Sequence, residues 1–256
     1  MNKRGQVTLF IILGIVLVVV LLLVTVFRGN VLETKFGTET DEVLVSGQVE
    51  PIREFVEGCI AEKGNEVINV IGKQGGDLNP GLSKYWYGDE VAYLCYSDEY
   101  GPCNNRQPFL IDHMEEQITN YIQQHLSECL DFSSWESKGY TVNAGDYEVE
   151  TVIGNYDTVI VVDYPIEITR GEAVSKETRF SKGFHFPLGK LANVAKSIVD
   201  KETSQPLGQV FTMAIIALYK GEVEVVRQTH QDSEVYILNL KNDDYKFQFA
   251  VKGWVF

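Results

Sequence analysis

Residues Val7–Phe27 read VTLFIILGIVLVVVLLLVTVF and contain no charged side chain. At a rise of about 1.5 Å per residue, a helix over this stretch is about 30 Å long, the thickness of a bilayer's hydrocarbon core. We therefore expect one transmembrane helix over residues 7–27, preceded by the short basic segment 1–6. Phe10 and Gly14 lie inside this helix, and the lipid bilayer is its first expected partner.

A cleaved secretory signal is the competing interpretation of the same segment, because it also combines a basic start with an apolar run. Such signals have an apolar region of about 7–15 residues followed by a small-x-small cleavage site. The run Val7–Phe27 is longer and continues as RGN. This pattern favours a retained anchor.

The rest of the chain is acidic. The 256 residues carry 22 Lys and Arg against 36 Asp and Glu, and Lys3, Arg4 and Arg28 are the only charged residues before residue 29. An acidic body is repelled by nucleic acid, which excludes nucleic acid as an expected partner. An aromatic content of 11% argues against disorder and favours a folded domain.

Four cysteines follow the apolar run, at Cys59, Cys95, Cys103 and Cys129. An even number of cysteines outside the cytosol indicates two disulfides. A zinc site needs closer pairs such as C-x-x-C, so we expect no metal. Because Lys3 and Arg4 favour a cytoplasmic N-terminus, the expected location is the cell membrane, with a single span and an extracellular C-terminal domain.

Residues 28–48 are polar and predict a stem, and residues 49–135 predict a helical subdomain. Apolar residues at helical spacing run from Ile52 to Ile71, with Pro51 in the first turn, and a second apolar stripe runs from Met114 to Leu130. Cys59 and Cys129 fall on these apolar faces, so their sulfurs can meet if the two helices pack side by side.

Between these helices, residues 75–108 lose periodicity and are rich in Gly, Asn, Pro and aromatic residues. The pattern predicts a long loop, which a Cys95–Cys103 disulfide would close. Its aromatic residues either form a small core of the loop or recognise a sugar or a protein surface. The candidate recognition residues are Tyr85, Trp86, Tyr87, Tyr93, Tyr96 and Tyr100.

Residues 136–256 predict an antiparallel sheet with covering helices. Alternating and β-branched segments occur at 147–168 and 223–251, and helical spacing occurs at 188–198 and 210–218. The expected fold class is therefore α+β.

Signatures of catalysis are missing from the sequence. It has no G-x-S-x-G nucleophile elbow, and the glycines near Lys190 do not have the spacing of a phosphate loop. The four histidines are scattered, and no acidic segment has calcium-loop spacing. We expect neither an enzyme nor a cofactor.

The N-terminus carries a family resemblance. Its sequence KRGQVT, residues 3–8, runs directly into the apolar helix and resembles the leader of archaeal type IV pilin-like proteins. The resemblance implies cleavage between Gly5 and Gln6, after Arg4, and a helix that bundles into a filament core beneath a β-rich outer domain. Phe10 stands where that family has a Glu.

The wider pattern resembles a family of archaeal single-pass surface proteins that carries no established activity. The shared motifs are KRGQVT-x-FII-x-G, Phe55-Val56-x-x-Cys59, Gln74-Gly75-Gly76, Tyr121-Ile122 and Cys129-Leu130-x-Phe132. By analogy, the recurrent cysteines support a Cys59–Cys129 bridge between helices.

Two functions follow as expectations. The first is a non-enzymatic, membrane-anchored surface protein that self-associates as a pilin-like filament subunit. The second is a monomeric binding or adhesion module that presents the Tyr85–Tyr100 segment to a glycan or a surface protein. Assembly size and the mature N-terminus distinguish the two.

Overall fold

The computed structural model describes residues 46–99, 101–204 and 209–253, with side chains described from residue 51 onward except at 209–212. The predicted transmembrane helix Val7–Phe27 with Phe10 and Gly14, the leader motif Arg4-Gly5-Gln6, most of the stem and Tyr100 lie outside these residues. Among the helices within the described ranges, none is both long and apolar enough to cross a bilayer.

The described elements confirm a mixed α+β fold. The helices are α1 (Ser46–Lys73), α2 (Leu110–His125), α3 (Ser133–Glu136), α4 (Leu188–Glu202) and α5 (Gln209–Leu218). The strands are β1 (Ser83–Trp86), β2 (Asp89–Tyr96), β3 (Asn104–Asn105), β4 (Thr141–Ala144), β5 (Glu148–Ile153), β6 (Thr158–Arg170), β7 (Ala173–Phe184), β8 (Val223–His230), β9 (Ser233–Leu240) and β10 (Lys246–Lys252).

Helix α1 starts earlier than its sequence pattern predicts. It begins at Ser46, so the last residues assigned to the stem are helical and Pro51 lies inside the helix. The early position of Pro51 limits the cost to one missing backbone hydrogen bond near the helix start. The predicted apolar stripe from Ile52 to Ile71 is buried as expected.

Two disulfides join the predicted cysteine pairs. Cys59 and Cys129 have their Cα atoms 5.8 Å apart, and Cys95 and Cys103 have theirs 5.4 Å apart. Cys129 does not lie on the second helix, because α2 ends at His125 and a 3₁₀ turn, Leu126–Glu128, precedes the cysteine. The bridge therefore ties α1 to the turn that follows α2.

The strands form two sheets, where one antiparallel sheet was predicted. In the first, the order is β1-β2-β10-β9-β8, with β3 added beside β2. Its pairs are antiparallel except β2 with β10, which run parallel. The second sheet is antiparallel, and its long strand β6 pairs with β4 and β5 along one edge and with β7 along the other.

The segment predicted as a tyrosine-rich loop contains three strands. Residues Val91–Cys95 are an uninterrupted buried run, typical of a strand covered on both faces and without the alternation that marks a half-exposed strand. Because β2 pairs with β10, residues 49–135 and 136–256 share one sheet, and Val45–Phe256 cluster as one compact unit.

Helix α1 packs between the sheets. It contacts β7 of the second sheet and β10 of the first, while α4 covers β9 and β10. Glycines make the close approach possible, since Gly64 faces the ring of Phe184 and Gly72 faces Tyr245.

The first sheet is curled, so that strand β1 at one end approaches the β8–β9 hairpin at the other. Although β1 and β8 stand at opposite ends of the strand order, Lys84 on β1 contacts the tip of the β8–β9 hairpin at Gln231 and Asp232, with nitrogen to oxygen distances of 2.9 Å and 3.7 Å. The curl encloses a second small core made of Trp86, Val91, Tyr93, Val235 and Ala250.

Candidate functional site

The β1–β2 hairpin places an aromatic side chain in an unusual position. Trp86 pairs with Asp89, so Tyr87 and Gly88 form a two-residue turn, and both have positive φ, 46° and 104°. Turns of this kind favour Asn-Gly or Gly-Gly, because a positive φ strains other side chains by about 1 kcal/mol or more. Tyr87 nevertheless occupies the strained position, and it is 87% exposed.

Trp86 orients this exposed ring. The indole is only 8% exposed, and its plane is nearly perpendicular to the Tyr87 ring, with ring centres 4.7 Å apart. On another side the indole contacts His230 at 5.6 Å. Trp86 is therefore a core residue that supports Tyr87.

A groove of about 420 Å³ lies beside this pair. Its volume falls within the range of small-molecule sites. The lining residues come from the end of α1, the β1–β2 hairpin, β9, β10 and the two residues before β10: Asn69, Lys73, Trp86, Tyr87, Asp89, Ile237, Asp244, Tyr245, Lys246 and Gln248. We call this surface the Trp86–Tyr87 groove.

The polar groups of the groove are fixed by hydrogen bonds. Gln248 Nε2 donates to the backbone oxygen of Lys73 at 2.7 Å and to Asp89 Oδ2 at 3.2 Å, which ties α1, β2 and β10 together. Tyr245 is buried and donates its hydroxyl to the backbone oxygen of Ile68 at 2.9 Å. Burial raises the pKa of Tyr245, so it stays a neutral donor.

The charges of the groove balance. Lys73 and Lys246 supply two positive charges, and Asp89 and Asp244 supply two negative charges. The groove thus combines an exposed aromatic ring with hydrogen-bonding side chains of positive and negative charge. This combination suits a ligand that is uncharged, flat on one side and rich in hydroxyl groups.

Five of the six aromatic residues predicted for recognition lie within the described ranges, and they have different surroundings. Tyr87 and Trp86 line the groove, whereas Tyr85 is 70% exposed and does not. Tyr93 is buried, and its hydroxyl lies 2.7 Å from Ser233 Oγ. Tyr96 donates a hydrogen bond to Asp98 at 2.6 Å, which raises the pKa of its phenol. Tyr93 therefore belongs to a buried core, whereas Tyr96 is half-buried beside Asp98.

Sequence reasoning missed the polar half of the groove, which comes from Asn69, Asp89, Lys246 and Gln248. They lie far apart in the sequence. The β2–β10 pairing brings Asp89 close to Lys246 and Gln248, and the packing of α1 against β10 adds Asn69. The one local signal is Tyr87-Gly88 between two extended segments, which predicts a hairpin turn.

A buried polar cluster lies elsewhere, between α4 and the first sheet. Tyr236 Oη lies 2.7 Å from Glu202 Oε1 and 3.1 Å from Glu234 Oε2, and Arg227 lies 3.6 Å from Glu234. Burial raises the pKa of Glu234, which favours its protonated form. Since Glu202 is 3% exposed, the cluster serves to anchor the end of α4 to β9.

Metal-ligating side chains are not grouped within residues 46–99, 101–204 and 209–253, where no cluster of three His, Cys, Asp or Glu could hold an ion. A comparison with protein-family models finds no match to the chain, and a comparison with curated proteins finds none either. The assignment of function therefore depends on the geometry of the Trp86–Tyr87 groove.

Proposed function

We propose that the chain is a membrane-anchored cell-surface protein whose folded domain binds a neutral glycan in the Trp86–Tyr87 groove. One observation carries the proposal: Tyr87 combines a strained backbone with 87% exposure. Strain of this kind is retained where function requires it. A pyranose ring has an apolar face that can stack on Tyr87, and its hydroxyls can bond to Asp89 and Asp244.

The disulfides support the surface location. Cys59–Cys129 and Cys95–Cys103 need an oxidising environment to form and persist. Together with the basic residues Lys3 and Arg4 ahead of the apolar segment, they favour an extracellular domain behind an N-terminal anchor.

The test is titration of the full chain with cellobiose, maltose and N,N′-diacetylchitobiose, in a detergent without a sugar headgroup. The variant Tyr87→Asn removes the ring but keeps a residue suited to positive φ. We expect it to weaken binding at least about tenfold, equivalent to about 1.4 kcal/mol, and to change the melting temperature little. The matched control is Tyr85→Asn, which removes another exposed ring, 70% exposed and outside the groove, and should bind as the wild type does.

Binding that survives Tyr87→Asn, or that is lost equally in the Tyr85→Asn control, contradicts the proposal. Failure of all three sugars to bind argues against a neutral glycan of this class. Trp86 is unsuitable for this test, because removal of a buried indole also destabilises the domain.

The second candidate is a pilin-like filament subunit, favoured by the KRGQVT motif before the apolar helix. In this case the helix Val7–Phe27 packs against copies of itself. Electron microscopy of native material together with N-terminal sequencing tests it. Filaments whose subunits begin at Gln6 support this candidate, and monomers that retain Lys3 and Arg4 contradict it.

A further inference from the structure

A second cleft, of about 380 Å³, lies beside the loop that connects α1 to β1. Its walls come from that loop, from β2, from the segment after β3 and from the first turn of α2. The apolar wall includes Leu82, Leu94 and Pro80, and the polar wall includes Asp77, Arg106, Gln107 and His113. None of these polar residues lines the Trp86–Tyr87 groove.

The cleft is rich in hydrogen-bond donors without partners. His113 Nε2 is buried and lacks a hydrogen bond, and Asp77 Oδ2 lies 3.6 Å away, within ion-pair distance but beyond hydrogen-bond distance. Within the described ranges the guanidinium of Arg106 makes no ion pair or hydrogen bond, although acidic residues outnumber basic ones 36 to 22. A buried nitrogen without a hydrogen bond is costly, so an acceptor that reached His113 Nε2 would remove this cost.

The backbone around these donors is held in place. The Arg106 N–H donates to the Leu94 oxygen at 2.8 Å, and the Gln107 N–H donates to Asn105 Oδ1 at 2.9 Å. The Cys95–Cys103 disulfide ties the same segment to β2. On the opposite wall, Asp77 Oδ1 accepts the N–H of Asn79 at 2.9 Å, which leaves Oδ2 directed at the imidazole.

We propose that this cleft binds a small organic carboxylate. The planar guanidinium of Arg106 matches the two oxygens of a carboxylate, and such paired, charge-assisted bonds are stronger than neutral ones. His113 Nε2, when it carries a proton, can donate to a second oxygen of the ligand. The apolar wall at Leu82 and Leu94 receives the ligand's carbon chain.

The experiment is a titration of the full chain with succinate at constant ionic strength, with sodium chloride as the balancing salt. Calorimetry measures affinity, and NMR of ¹³C-labelled histidine follows the four rings. We expect one saturable site and a shift confined to His113. The variant Arg106→Gln should weaken binding at least about tenfold, and because Arg106 is exposed, its replacement leaves the fold intact.

The control variant is Arg179→Gln. Arg179 is an exposed arginine on β7, 3.6 Å from Asp163, and it should bind succinate like the wild type after replacement. The variant Arg106→Lys keeps the charge but loses the planar pair of donors, so it should bind more weakly than the wild type. Three results overturn the proposal: no saturable binding, binding insensitive to Arg106→Gln, or an equal loss in Arg179→Gln, which indicates an adventitious ion only.

Discussion

Three glycines of α1 should respond differently to replacement by alanine. Alanine at Gly58 meets no atom within 4 Å. A Cβ at Gly64 would lie 2.7 Å from Phe184 Cε1 and still closer to Cζ, and a Cβ at Gly72 would lie 2.6 Å from the Lys246 backbone oxygen. Gly58 and Gly64 both lie in the interior of α1, so they gain the same helix propensity and their difference isolates the contact between α1 and β7.

The expected change in the free energy of unfolding is the sum of two opposing contributions. Replacing Gly by Ala within a helix stabilises by about 1 kcal/mol. Overpacking a filled site costs about 1–3 kcal/mol, and the upper end applies at Gly64 because the Phe184 ring is only 5% exposed and cannot swing away. We expect Gly58→Ala to raise stability by about 1 kcal/mol and Gly64→Ala to lower it by about 2 kcal/mol.

Urea unfolding followed by circular dichroism measures the difference in unfolding free energy between Gly58→Ala and Gly64→Ala. For a domain of this size, the expected difference corresponds to about 6–12 °C in melting temperature. The double variant Gly64→Ala/Phe184→Leu removes the obstructing ring atoms. Its loss should be smaller than the sum of the two single losses, since the two sites are in contact.

Equal stability of Gly58→Ala and Gly64→Ala would refute the reasoning, because it would mean that α1 does not pack against β7 at this point. Additive losses in the double variant would show that the cost at Gly64 does not come from Phe184. The loss of stability in Gly72→Ala independently tests the packing of α1 against β10. There the obstructing atom is the backbone oxygen of Lys246, which cannot rotate away as a side chain can.

The remaining predictions concern the disulfides and acid stability. Chain entropy predicts that C59A/C129A, which opens a span of 70 residues, lowers the free energy of unfolding by about 4 kcal/mol. The variant C95A/C103A, with a span of 8, should lower it by about 2.5 kcal/mol. Urea unfolding measures both losses, and a larger loss for the shorter loop contradicts this ordering. Hydrogen bonds from Lys252 and Ser233 lower the pKa of Asp232 to about 2, so its stabilising effect is complete above its ordinary pKa and disappears as pH falls from about 4 to 2. Because the Asp232 side chain is 54% exposed, its contribution to stability is below about 1 kcal/mol. The melting temperatures of the wild type and Asp232→Asn should converge below pH 2. A difference in melting temperature that stays constant between pH 6 and 2 would contradict the lowered pKa of Asp232.

Local patterns in the sequence determined much of the fold. The apolar residues from Ile52 to Ile71 recur every three or four positions, and this periodicity predicts the buried face of α1. The segment around β6 and the hairpin of β9 and β10 were likewise predictable, because turn residues separate runs of β-branched and aromatic residues. Both disulfide pairings also followed from sequence position and from the family resemblance.

The tertiary structure alone decided how the first and last parts of the chain meet. The parallel pairing of β2 with β10 leaves no local signal, and the buried run Val91–Cys95 does not alternate. Through this pairing Gln248 reaches Asp89, 159 residues away in the sequence, and completes the Trp86–Tyr87 groove. Sequence patterns report which face of an element avoids water, whereas a binding site depends on which elements pack together. Which elements pack together is determined by the burial of apolar surface over the whole chain, and no local pattern contains that information.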